Sequence, residues 1–218
     1  MSLRILFNCK DYAVCEKPVG ISCESPGLPD LYKEIYKTSC YPVHRLDVGT
    51  GGACVLALSK ESCRVLQSLW SDKHCQKEYL AVVSGKPPAA SGIYMDYLYH
   101  DPRQNKTFIV KKQRKGIREA VCSWECLESA QMNEQILSLV RVRLETGRTH
   151  QIRVQFASRG FPLVGDRKYG SRIKADSVSL WSSRISFPDP FHSGRITEAV
   201  SFPPAVFPWH IFDTVRKL

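Results

Sequence analysis

The chain has 218 residues, enough to bury one substantial core without disulfide or metal staples, and its hydrophobic (43%) and charged (24%) fractions are those of an ordinary globular protein. Its charge is unusual: 31 Lys and Arg oppose 21 Asp and Glu, a formal +10, which favours a polyanionic partner. No run of about 18 apolar residues and no long basic amphipathic helix is present, which argues against a membrane and leaves nucleic acid as the expected partner.

The first ten residues, MSLRILFNCK, meet a polar break too early for a signal-peptide core and offer no small-residue cleavage site, so a cytoplasmic location is expected. Ile5–Phe7 and Tyr12–Cys15 read as two short strands around the turn residues Asn8 to Asp11, and Lys17-Pro18-Val19-Gly20 ends the second. Residues 51–58 (GGACVLAL) predict a buried strand opened by glycines. Ser59 suits the cap of a following helix whose Val65, Leu66, Leu69 and Trp70 recur at helical spacing. Another apolar strand, starting at Tyr79, stops at Gly85.

Val140 to Leu144 alternates apolar residues with Arg141 and Arg143, the pattern of a half-exposed antiparallel strand. Thr146-Gly147 forms the turn. Residues 149–158 then suit a short helix with Thr149 as cap and Gly160 near the stop. No repeat, low-complexity tract or composition shift marks a linker, so a single domain over residues 1–218 is expected. Strands outnumber helices without strict alternation, which predicts an α+β fold around a mixed, mostly antiparallel sheet with flanking helices.

Nine cysteines are scattered, odd in number and without a Cys-x-x-Cys; neither Cys122 with Cys126 nor Cys75 beside His74 has the second pair a tetrahedral zinc site needs. Reduced, buried thiols are expected, with no metal and no cofactor; the absence of a P-loop or dinucleotide fingerprint agrees. Arg103 to Arg118 holds seven cations, Lys111, Lys112 and Arg114 among them, and no acid. This surplus can be a solvated face or a phosphate-binding one. A second cationic group, Arg148, His150, Gln151 and Arg153, follows a strand at the predicted helix start, where anions are attracted. His150 taken alone suits a structural hydrogen bond, and Asp47, before Val48-Gly49, taken alone suits a turn.

Three separated segments change that balance. His44-Arg45-Leu46-Asp47 with Thr50-Gly51-Gly52, then Lys77-Glu78-Tyr79-Leu80-Ala81, then Thr146-Gly147-Arg148-Thr149-His150-Gln151-Ile152-Arg153, resemble in order and spacing the sequence blocks of RluA-type RNA pseudouridine synthases. Lys17-Pro18-Val19-Gly20, His100-Asp101-Pro102-Arg103 and Gly165-Asp166-Arg167-Lys168-Tyr169-Gly170 extend the resemblance over residues 4 to 208. Two positions depart from it: Gly51 stands where relatives usually carry Ser, and Trp181 where a late His often precedes the final strand. The resemblance begins within the first five residues, so no N-terminal S4 domain is expected.

The resemblance implies a pseudouridine synthase catalytic fold with a basic cleft, acting as an isomerase on uridines in structured rRNA or tRNA. Neither cofactor nor metal is needed, and a monomer is expected. Asp47 would be the essential carboxylate, Tyr79 the ring that stacks on the flipped base, and Arg153 the guanidinium paired with Asp47. Arg45 would face RNA, with His44, Arg148, His150, Gln151, Lys111, Lys112 and Arg114 as further RNA contacts. A carboxylate is chemically apt because leaving of the base builds positive charge on the sugar. Whether Asp47 adds to the sugar, adds to C6 of the base or removes a sugar proton is left open by residue types. The competing reading is a noncatalytic RNA-binding protein that keeps the fold.

Overall fold

The computed structural model describes residues 3–71 and 74–217. The chain forms two compact units, residues 1–78 with 181–203 and residues 79–180 with 204–218. Among the described residues strands dominate and nearly all pair antiparallel, as the α+β expectation requires.

The first unit contains β1 (Ile5–Asn8), β2 (Tyr12–Lys17), α1 (Leu28–Tyr36), β3 (Tyr41–Pro42), β4 (Gly51–Ala57) and α2 (Lys60–Ser71), followed by the opening residues of β5 (Gln76–Ser84). Most of β10 (Leu180–Pro188) and all of β11 (Ile196–Val200) complete it. Strand order is β1-β2-β4-β10-β11, with β3 beside β4. Every residue of β4 is buried, which explains its unbroken apolar run. One edge of β4 pairs with β2. The other is shared, Ala57 and Leu56 pairing with β3 and Gly51 and Gly52 pairing in parallel with Trp181 and Ser182 of β10. The segment 43–50 therefore runs from one end of β4 to the other.

Ser59 caps α2 as expected, its Oγ accepting from Ser62 N–H at 3.0 Å. Leu66 is fully buried with Leu69 and Trp70 packed against the same core, whereas Val65 lies 43% exposed, off the apolar face. That core joins Tyr12, Val14, Val55, Ile185 and Phe187.

The second unit contains the rest of β5, β6 (Ser91–Asp101), β7 (Lys106–Val110), β8 (Ile117–Met132), β9 (Gln135–Leu144), α3 (Gln151–Ala157) and α4 (Asp213–Arg216), in strand order β5-β9-β8-β6-β7. Arg141 and Arg143 alternate with buried Val140 and Val142, as predicted. The basic run proves to be the β6–β7 turn, β7, an exposed connection at 111–116 and the start of β8. Helix α3 packs on β6 and β8 through Val154 against Leu98 and Ala120, with the Phe156 ring edge-on to Tyr94 at 5.1 Å. Its cap differs from expectation. His150, in the left-handed region at φ 55°, precedes the helix, while the Thr149 carbonyl is occupied by the Thr107 hydroxyl at 2.8 Å. Gly160, at φ +86°, ends the segment as foreseen.

Candidate active site

In the first unit, the loop bearing Asp47 is pinned on both sides. Val55, in β4, has lost its strand partner where β3 ends, and the loop supplies substitutes: Val43 N–H donates to the Val55 carbonyl at 3.1 Å, and His44 Nε2 accepts from Val55 N–H at 3.1 Å. The His44 ring also stacks on Trp70, centroids 5.0 Å apart at 15°. Burial, aided by Lys77, pushes this imidazole down to about 3. His44, expected to touch RNA, has its ring committed to the fold.

Leu46 is buried, its N–H donating to Cys23 Sγ at 3.1 Å and its carbonyl accepting from the same sulfur at 3.5 Å. The Cys23 thiol, hydrogen-bonded to Cys54, is drawn down to about 7, with Leu46, Lys17 and Arg45 acting in the same direction against burial. After Asp47 a tight turn closes with Thr50 N–H to the Asp47 carbonyl at 2.9 Å, and Gly20 N–H holds the Val48 carbonyl at 2.8 Å.

Beneath this turn lies Lys17, the last residue of β2 and fully buried. Its Nζ donates to the carbonyls of Pro18 (2.8 Å), Ile21 (2.7 Å) and Val48 (3.5 Å). Burial lowers its pKa; the neighbouring Cys23, Cys54 and Asp47 oppose that shift. Lys17 thus supports the turn that follows the candidate carboxylate, and along the sequence it stands only in the short Lys-Pro piece. Arg45 points outward, its Nη1 2.8 Å from Glu24 Oε1 in an exposed pair.

The two departures from the family pattern meet each other. Gly51 and Trp181 are register partners of β4 and β10, and a Cβ on Gly51 would lie 2.3 Å from the Trp181 ring. The indole fills the space that a side chain at 51 would need, and its Nε1 donates to Ser201 Oγ at 3.0 Å.

In the second unit, Tyr79 is 7% exposed and opens a buried stretch, Leu80 to Val83. Arg153 lies on α3 with its side chain 11% exposed. Asp166 grips it bidentately, Nε to Oδ2 at 2.7 Å and Nη2 to Oδ1 at 2.9 Å. This acid was not foreseen; the expected partner, Asp47, belongs to the first unit. The Tyr169 ring lies 5.2 Å from the guanidinium carbon.

His150 is buried with Nδ1 2.9 Å from the Tyr169 hydroxyl. Gln151, expected to touch RNA, is 2% exposed and its side chain is spent internally: Oε1 accepts from Thr146 Oγ1 (2.8 Å) and Arg148 N–H (3.0 Å), and Nε2 donates to the Val121 carbonyl (3.1 Å). Arg148, Lys111, Lys112 and Arg114 are exposed, Arg148 Nε donating to the Glu119 carbonyl at 3.0 Å. No group of three or more His, Cys, Asp or Glu suited to a metal occurs among the described residues.

Residues 11–158 match the family model for RNA pseudouridylate synthase. An uncharacterized RNA pseudouridine synthase of Aquifex aeolicus is 34% identical, the match covering 81% of this chain and 58% of the relative. The dual-specificity RNA pseudouridine synthase RluA of Escherichia coli is 31% identical over 89% of this chain and 91% of its own length. The structure of human RNA Pseudouridylate Synthase Domain Containing 1 superposes with a TM-score of 0.82 at 22% identity, over 95% of this chain and 85% of the other.

Proposed function

The chain belongs to the RNA pseudouridylate synthase family, and from that premise we propose that it isomerises selected uridines in structured rRNA or tRNA to pseudouridine, with Asp47 as the essential carboxylate. The observation that carries this reading is the support built around Asp47: a turn tied down at Leu46, Val48 and Thr50, over the fully buried Lys17, whose Nζ donates to the Val48 carbonyl at 3.5 Å.

The base leaves C1′ through N1, turns and rejoins through C5, with no net redox change and no energy-rich donor. Asp47 stabilises or captures the positive charge that develops on the sugar, or opens the sequence by one of the other routes left open above. Arg153, gripped along one edge by Asp166, has a second N–H edge suited to an anion, and in this reading it is a catalytic residue beside Asp47's role as the essential carboxylate. Tyr79 stacks on the everted base, and a stacked base returns about 1–3 kcal/mol toward its extrusion. Arg45 faces the RNA, and Arg148 and the exposed Lys111, Lys112 and Arg114 engage phosphates.

The test is tritium release from 5-tritiated uridine in bulk RNA of cells lacking the gene. Wild type releases tritium, and Asp47→Asn, folded by circular dichroism, does so at least about 1,000-fold more slowly, the scale of losing a group central to the transition state. Tyr79→Phe keeps stacking and isolates any proton-transfer role. RNA retention by the wild type without tritium release would instead establish the noncatalytic reading.

A further inference from the structure

The block Gly165 to Gly170 folds as a small clamp on one side chain. Gly165 sits at φ +80°, and a Cβ there would lie 2.1 Å from the Ser177 carbonyl, so only glycine lets the chain pass. The turn that follows is closed by the Asp166 carbonyl, which accepts from Tyr169 N–H at 3.1 Å and Ser171 N–H at 3.0 Å. This directs the Asp166 carboxylate, 2% exposed, into the plane of the Arg153 guanidinium.

Tyr169 constrains the other direction. Its ring lies 5.2 Å from the guanidinium carbon, and its hydroxyl is tied at two points, accepting from Thr107 N–H at 2.8 Å and meeting His150 Nδ1 at 2.9 Å. The ring also packs beside Leu98, Ala120 and Val154. A planar fork has two ways to stray, sliding or twisting within its plane and tilting out of it. The carboxylate blocks the first and the ring blocks the second.

We propose that Asp166 and Tyr169 are positioning residues for the isomerisation, which fix the Arg153 guanidinium so that its other N–H edge is held in one orientation. The inference rests on the assignment of Arg153 and Asp47 made above and adds residues that neither contact RNA nor react. Two constraints are needed because a displacement of about 1 Å in a reacting constellation costs on the order of 100-fold in rate.

The experiment measures single-turnover tritium release and RNA binding for Asp166→Asn, Tyr169→Leu, Tyr169→Phe and Arg153→Ala, each in the full chain and normalised to folded protein. Asp166→Asn keeps shape but gives the fork one acceptor where it had two; the rate falls about 100-fold while half-saturation by RNA stays within about threefold. Tyr169→Leu loses at least about 10-fold, and Tyr169→Phe, which restores the ring face, recovers most of that loss. A lesion that merely destabilised the fold would vanish on normalisation and would not follow the ring.

If Arg153→Ala is inactive while Asp166→Asn and Tyr169→Leu turn over within threefold of wild type, Arg153 needs no clamp and the inference is overturned. If Arg153→Ala is itself fully active, the assignment beneath it fails instead. Should Asp166→Asn not fold, the Leu and Phe variants at 169 decide the matter alone.

Discussion

His44 offers a prediction whose size follows from the structure. Its Nε2 lone pair accepts from Val55 N–H, and burial holds its pKa down at about 3. In the unfolded chain a histidine titrates near 6.5. Between those values the unfolded state carries a proton that the native state refuses, so stability falls as pH falls through this window. The loss follows RT ln(1 + 10^(6.5 − pH)), about 2 kcal/mol at pH 5 and about 3 kcal/mol at pH 4, relative to neutral pH. Against a typical domain stability of about 5–15 kcal/mol this is a large fraction.

Urea unfolding at pH 7 and pH 5 measures it directly, since this interval lies above the range where most carboxylates titrate. The control is His44→Gln, whose amide oxygen can still accept from Val55 while carrying no titrating ring. The wild type should lose about 2 kcal/mol between the two pH values and the variant close to none, with equal m-values. Equal losses in both proteins would refute the view that His44 is held as a neutral acceptor, and would return it to the pool of cations available to RNA.

Gly51→Ser places a Cβ into the Trp181 ring and should cost about 1–3 kcal/mol of stability by overpacking; adding Trp181→His should recover most of it, and strictly additive effects in a double-mutant cycle would exclude the contact. Lys17→Met strands the carbonyls of Pro18, Ile21 and Val48, so stability should fall by about 3 kcal/mol or more. Turnover should fall beyond the loss of folded protein, as tritium release per folded molecule will report. Replacing Lys111, Lys112 and Arg114 together by Ala should weaken RNA binding and reduce the slope of log K against log salt by about 2–3, read by filter binding. An unchanged slope would remove that connection from the RNA surface.

Elements punctuated by local chemistry were legible in the sequence. The glycine stop at Gly160, the Ser59 cap and the alternation at Arg141 and Arg143 all express forces within a few residues of chain. The start of α3 did not yield to the same reasoning, because the Thr107 hydroxyl claims the Thr149 carbonyl and Tyr169 engages His150, partners far away in sequence. Residues 91–132 showed their charge but not their three strands, since β6, β7 and β8 are defined by pairing with one another.

The candidate site divides along the same line. Asp47, Tyr79 and Arg153 could be named from short blocks. Lys17 and Asp166 could not, although their own short blocks were visible, because a supporting group is recognised only once folding brings it to the partners it holds. Gly51 and Trp181 make the point from the opposite side. Read along the chain they are two separate departures from a family pattern, each a reason to doubt the local geometry. In register across β4 and β10 they become one exchange of volume, a side chain removed where a larger ring was added. A departure in a linear motif therefore carries little weight against function until its through-space partner is known.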